Sequence, residues 1–354
     1  MFHCGHCAGG CFFRAMMIEQ KDYLRGLQNK IDEQCAGNRT DANLRGGVKM
    51  LRTVGGLMDA EGAGRILAHE HILVGFIEDG KLTREDYDED EVVAAIAPLL
   101  LEAKAAGCGT LVDCSPEYLG RDPYLLRRLS ELTGVHLVTN TGFYKKPYLP
   151  AFVDETDERD LARMWTREAL YGIGDSGVFP GFIKIALNDG AVIDETQLKI
   201  LRAAMRTSLE TGLPIQCHTI GPGIAMNAYE VMADSHFDMS RFIWIHAQTF
   251  QDDDLYRRLA DAGAWLSIDS IRMEKHREHV ELLARLQEIG VGERVLLSQD
   301  TGWYNVGQPN GGAILPYHPL FAEFIPAAAA DGLDAQWLER CVTEHAFNAM
   351  SIRG

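Results

Sequence analysis

The chain has no run of about 20 apolar residues of the kind a membrane span requires. Its longest greasy stretches, such as Val92–Leu101, keep helical periodicity and are followed at once by charge, so they read as amphipathic helices. Excess positive charge is also lacking: 34 Lys and Arg face 51 Asp and Glu, for a net charge of −17. A surface of that sign repels phosphate backbones, which argues against nucleic acid as a partner. No long apolar segment follows a basic start, so no secretory signal is read and the cytoplasm is the expected compartment. Eight cysteines are present, but Cys4, Cys7 and Cys11 crowd together near the N-terminus and the rest are scattered. That is not a disulfide framework for a chain of this size.

What remains is the composition of an ordinary globular protein, 46% hydrophobic and 24% charged over 354 residues. Residues 1–50 stand apart, rich in Cys, Gly, Asn and polar residues, and are read as an extension outside the main domain of 51–354. Cys4-Gly5-His6-Cys7 spells a thiol-oxidoreductase motif, but no strand precedes it to build the helix start that such a thiolate needs, so it is discounted. From Leu51 onward, short β-type runs alternate with longer helical patterns. The predicted strands are Arg65–His71, Thr110–Cys114, Val135–Thr141, Gly181–Ala186, Pro214–His218, Phe242–His246, Ala264–Asp269 and Arg294–Asp300. The predicted helices include Glu91–Ala106, Asp122–Thr133, Glu155–Tyr171, Glu195–Thr211, Gln251–Ala262 and Met273–Ile289, several of them stopped by a glycine such as Gly134, Gly212 or Gly290. Two more close the chain, about Leu320–Ala330 and Asp334–Ala349.

Eight strands alternating with helices predict an α/β fold, a (β/α)₈ TIM barrel. The competing doubly wound sheet would carry a Gly-rich phosphate loop after its first strand, and the turn after His71 has none. In such a barrel the functional groups gather at the C-terminal ends of the strands. His69 and His71 flank Glu70 on the first strand, so period-two alternation turns both imidazoles to one side and Glu70 to the other. Lys184 interrupts an otherwise apolar strand, and His218, His246 and Asp300 each close one. Taken singly, a buried His is ordinarily a hydrogen-bonded core residue and a strand-end Asp a helix cap. A buried lysine is harder to dismiss, because its charge costs several kcal/mol unless compensated. Together the six fall at equivalent depths on five strands, the pattern of a metal site.

With these residues the sequence resembles the phosphotriesterase-like branch of the amidohydrolase superfamily, from about Leu51 to Met350. The resemblance rests on Thr53-Val54-Gly55-Gly56, Ala68-His69-Glu70-His71, Leu111-Val112-Asp113 and Leu119-Gly120-Arg121-Asp122. It continues through Asn140–Tyr144, Phe182–Ala186, Cys217-His218-Thr219, Ile245-His246-Ala247 and Leu296–Trp303. The sequence departs from the family at Gln299, where His is common, and at Glu344-His345-Ala346, where Asn-Pro is expected.

The resemblance implies a binuclear centre, with His69, His71 and Asp300 on the first metal and His218 and His246 on the second. Lys184 would bridge them as a carbamate formed from CO₂. Zinc suits this mixed N/O set, with manganese or cobalt as alternatives. The implied reaction is hydrolysis of a small-molecule lactone or carboxylic ester by a metal-bridging hydroxide, with Asp300 as proton acceptor. A phosphotriester or an N-acyl amide is the alternative substrate, and a non-catalytic ligand-binding barrel the alternative of another class. Tyr144, Arg272 and Trp303 are the expected substrate-binding residues, Arg272 for a carbonyl or anionic group. Trp303 and Tyr304 are read as the start of a long loop. His276 and His279 are read as lying on a solvated helix face, Cys217 as turned away from the metals, and a homodimer is the family-like assembly.

Overall fold

The computed structural model describes residues 49–353 apart from Ala191, within a compact unit that begins at Lys49. The Cys4–Cys11 motif lies outside the described residues. The unit opens with an antiparallel hairpin, Leu51–Thr53 paired with Gly56–Met58. Its turn is held by the Thr53 hydroxyl, which accepts from Gly55 N and donates to Gly56 O.

The barrel follows. Its strands are β1 (Arg65–Val74), β2 (Cys108–Asp113), β3 (His136–Val138, continued by Asn140–Thr141), β4 (Phe182–Ala186), β5 (Ile215–His218), β6 (Phe242–Ile245), β7 (Trp265–Ile268) and β8 (Val295–Leu297). Each pairs in parallel with the next. The two parts of β3 join through Thr139, whose carbonyl accepts from Gly181 N. A short strand that the sequence reading missed, β9 (Gly302–Asn305), pairs in parallel with β1, with Gly302 opposite His71. Asp300 N donates to His69 O and His71 N to Thr301 O, so the segment after β8 returns to β1 and the sheet closes. The protein is a (β/α)₈ barrel, with the eight expected strand regions among the described residues.

The correction at Gly302–Asn305 has a local cause. Trp303 and Tyr304 do not begin a loop, because three backbone partners on β1 remain open past the end of β8. Gly302 makes that close approach possible: its φ is +92°, and a Cβ there would collide with the His71 carbonyl. Other differences are at element ends. Strand β2 starts two residues early, at Cys108, and the predicted last helix splits at Thr343 into Ala335–Val342 and Glu344–Met350.

The outer helices show where part of the acidity goes. Asp88, Asp122, Asp157, Asp194, Asp252 and Asp334 are N-caps, each accepting from backbone N–H groups in the first turn. A hydrophobic core that includes Ile66, Val112, Phe182, Ile243 and Leu296 fills the space between strands and the closing helix around Met350. No helix among the described residues is long and apolar enough to cross a membrane.

Candidate metal centre

Strand alternation places the first donors. His69 and His71 turn into one cavity of about 50 Å³, and Lys184, His218, His246 and Asp300 line the same cavity, with Tyr144, Trp303, Phe76 and Leu119 completing it. All six residues read as ligands are therefore brought together. Phe76, on the loop after β1, has no periodic or charge signal and was not read from the sequence.

One group converges tightly. His69, His71 and Asp300 each present a ligand atom within 4.8 Å of the others. Asp300 Oδ1 lies 3.2 Å from His71 Nε2 and 3.6 Å from His69 Nε2. On the other side His218 Nδ1 and His246 Nε2 face each other at 2.9 Å, and the Tyr144 hydroxyl is 3.3 Å from the same His218 nitrogen. His246 and Asp300 adopt positive φ, +67° and +54°. Non-glycine residues persist there only when their surroundings over-determine them, as at functional sites.

The outer ring nitrogens are held from behind. His246 Nδ1 sits 2.6 Å from Asp269 Oδ1, and the other Asp269 oxygen accepts from His246 N. Asp269 is itself fixed by Gln248 and Ser267. His71 Nδ1 is 2.9 Å from Ser115 Oγ. Asp269 and Ser115 were not singled out by the sequence reading. Asp269 had a signal: it stands just past β7 at the depth of His246 and Asp300. Glu70, pointing away from the cavity as alternation requires, accepts from Ser298 Oγ, Gln299 N, Thr301 N and Thr301 Oγ1. It thereby fastens β1 to the segment that carries Asp300.

The electrostatics suit a divalent cation. Burial pushes His69 and His218 well below the usual imidazole range and lowers His71, so all three stay neutral with a lone pair available. Burial pulls His246 the same way, but the charge and hydrogen bond of Asp269 together with the charge of Asp300 outweigh it and raise the ring. Burial would raise Asp300, yet its contact with His71 and the charge of His246 hold it below its ordinary value. Burial lifts the Glu70 carboxyl to about 7 against its four donors.

Lys184 is the most telling residue. It is 1% exposed, and its Nζ is a buried nitrogen with no hydrogen-bond partner. An ammonium cannot rest in that position without a compensating group. A carbamate on this lysine, an anionic oxygen donor, would remove the conflict, and with it the residues that line the cavity fit a metal site. Gly142 lets the loop after β3 close over the back of this strand: at φ +106°, a Cβ there would strike the Lys184 carbonyl.

Comparison with known proteins decides the kinship. The chain matches the Phosphotriesterase family over residues 49–347. The chain belongs to the phosphotriesterase family. A phosphotriesterase homology protein of Mycobacterium tuberculosis (strain ATCC 25618 / H37Rv) is 28% identical over 83% of this chain and 95% of its own length. An aryldialkylphosphatase of Saccharolobus solfataricus is 24% identical over 69% of this chain and 78% of its own. The mouse N-acetyltaurine hydrolase is 23% identical over 83% and 96%. As a phosphotriesterase-family member the chain is a hydrolase on a barrel of the family's type.

The expected substrate-binding residues divide. Tyr144 and Trp303 line the cavity, Trp303 with its ring centroid 4.2 Å from that of His71. Arg272 does not line it. Its guanidinium donates to the carbonyls of Ile271, Gln299 and Asp300, and it borders a separate cavity of about 170 Å³ with Leu315, Leu320 and Phe324. Strand-end carbonyls point out of the barrel's C-terminal rim, and a planar guanidinium satisfies several of them at once. The two helix histidines also need correcting. His279 is buried against Phe324, and His276 Nε2 pairs with Asp331 at 2.7 Å. Cys217 is buried beside Thr219, 3.3 Å from its hydroxyl.

Proposed function

We propose that this protein is a two-metal hydrolase of a small lactone or carboxylic ester. The observation that carries the reading is the unpartnered Nζ of Lys184 inside a cavity that five other donors share. His69, His71 and Asp300 would hold one ion, His218 and His246 the other, and a Lys184 carbamate both, with zinc the first choice and manganese or cobalt next. Such ions lower the pKa of bound water and polarise a carbonyl.

The chain's own groups do the rest. Asp300, ionised and with Oδ1 in the cavity beside His71 Nε2, accepts the proton released on attack. Tyr144 is raised by burial, so it stays protonated and offers its hydroxyl beside His218 as a donor to developing negative charge. Asp269 keeps His246 in one tautomer and orientation. Trp303, Phe76 and Leu119 give the cavity an apolar wall. The cavity's size favours a compact acyl group. The relative named N-acetyltaurine hydrolase supports an N-acyl amide as the second reading, and the aryldialkylphosphatase keeps a phosphotriester among the substrates to test. A cytoplasmic location and a homodimer complete the reading.

The test is a hydrolysis screen of zinc- and manganese-loaded protein, prepared with bicarbonate, beside Asp300→Asn. The panel spans sugar and acyl lactones, aryl esters, N-acyl amino acids and a phosphotriester. The expected result is turnover of a lactone or ester, lowered by orders of magnitude in the variant. Turnover that survives the substitution would remove Asp300 from the mechanism, and turnover confined to amides or phosphotriesters would replace the ester reading.

A further inference from the structure

The position that sequence assigned to Arg272, a cation facing the substrate, is vacant, because that guanidinium is occupied by backbone carbonyls. A different cation stands behind two residues that line the cavity, Tyr144 and His218. Lys145 follows Tyr144 on the loop after β3. Its side chain is 15% exposed, and its Nζ lies 3.0 Å from His218 Nε2, the ring nitrogen opposite the one that faces His246. Lys145 Nζ also sits 5.7 Å from the centre of the Tyr144 ring. The neighbouring Lys146 behaves as an ordinary surface lysine: 47% exposed and paired with Asp154 at 2.8 Å.

Lys145 is poorly compensated for a cation so enclosed. Its carboxylate partner is Asp189, at 3.6 Å and 63% exposed, a pair of little worth in water. An ammonium has three donors, and His218 and Asp189 account for two at most. If His218 gives Nδ1 to a metal, its proton resides on Nε2, which then no longer accepts. The ammonium is left with Asp189 and with donors free for a guest that reaches past Tyr144 and His218. In a chain of net charge −17, an under-neutralised cation beside the reacting centre calls for an anionic guest.

We propose that Lys145 anchors an anionic group of the substrate, so that the preferred substrate is an ester, lactone or amide that also carries a carboxylate or sulfonate. This rests on the hydrolase reading above and narrows it. The anchor lies on the Tyr144 and His218 side of the cavity, away from the Trp303 and Phe76 wall. It therefore fixes which end of the substrate faces the loops after β3 and β4.

Two measurements on the full-length, zinc-loaded protein separate this proposal from the reading it rests on. The first is calorimetric titration with propane-1-sulfonate, compared with neutral propanamide, on the unmodified protein, Lys145→Gln, Lys145→Arg and Lys146→Gln. The expected result is sulfonate binding that weakens about tenfold or more in Lys145→Gln, the loss of one charge-assisted hydrogen bond. It should recover in Lys145→Arg and be unaffected in Lys146→Gln. The second is the ratio of kcat/KM for mono-p-nitrophenyl glutarate to that for neutral p-nitrophenyl acetate, which should fall by a similar factor in Lys145→Gln. An equal fall for both esters together with lost metal would make Lys145 a support for His218 and overturn the proposal. So would sulfonate binding no stronger than that of the amide. If neither ester is turned over but sulfonate binding depends on Lys145, the anchor stands and the ester reading fails.

Discussion

Replacing Glu70 by Gln tests whether the hidden carboxylate on β1 fixes the segment that carries Asp300. Each Glu70 oxygen accepts one backbone N–H and one hydroxyl: Gln299 N at 2.9 Å and Ser298 Oγ at 2.8 Å on one, Thr301 N at 2.6 Å and Thr301 Oγ1 at 2.8 Å on the other. Glutamine has the same shape but only one carbonyl oxygen. A hydroxyl can rotate to accept from the new NH₂ group, whereas the backbone N–H beside it cannot. One buried N–H therefore loses its acceptor, at about 1–3 kcal/mol, and the surviving bonds lose their charge assistance. Relief from burying a charge offsets part of this, leaving a net destabilisation of about 2 kcal/mol. The assay is urea unfolding of the metal-loaded protein above pH 7, where the Glu70 carboxyl is ionised, with bound metal determined on the same samples. The midpoint should fall at unchanged slope. Metal affinity should fall with it, because Asp300 lies between two of the anchored residues. An unchanged or raised midpoint with full metal occupancy would refute the reasoning.

Three further outcomes follow from the same geometry. Asp269→Ala removes the carboxylate that accepts from both His246 Nδ1 and His246 N, so metal affinity should drop about 10–100-fold in a chelator competition while the fold persists. Gly142→Ala puts a Cβ against the Lys184 carbonyl at φ +106°; a stability loss above about 2 kcal/mol by urea unfolding is expected, and a neutral effect would contradict the close approach. His279 is lowered by burial, with Glu278 and Asp269 acting against that and Lys275 and Arg272 with it. Below about pH 6.5 the unfolded chain therefore binds a proton that the folded one resists, and stability falls with pH until the folded value is passed. His279→Leu should flatten Tm between about pH 5 and 6.5, and an unaltered slope would exclude the residue as its source.

The barrel and the convergence of the six residues on one cavity were legible because two simple periodicities carry them. Alternation on β1 turns His69 and His71 inward together, and His218, His246 and Asp300 stand where parallel strands of one barrel end level. The parts that escaped depend on groups distant in sequence. β9 forms because β1 outlasts β8, which no local pattern in Gly302–Asn305 announces. Arg272 looked like a substrate ligand because a loop arginine beside a site usually has free donors, whereas here the carbonyls of residues 299 and 300 take them. His279 was misread although its signal was present: Leu282, Leu283 and Leu286 follow it at helical spacing and are buried with it. Ser115 and Asp269 act through the histidines they touch, and a single hydroxyl or carboxylate after a strand looks the same as a cap.

If Lys184 joins the other five residues in holding two ions, the ions can be counted. Elemental analysis of protein reconstituted with zinc and bicarbonate should give two ions per chain, and Lys184→Met should lose both the stoichiometry and the activity. Two ions retained by an active Lys184→Met protein, or a single ion in the unmodified one, would contradict it.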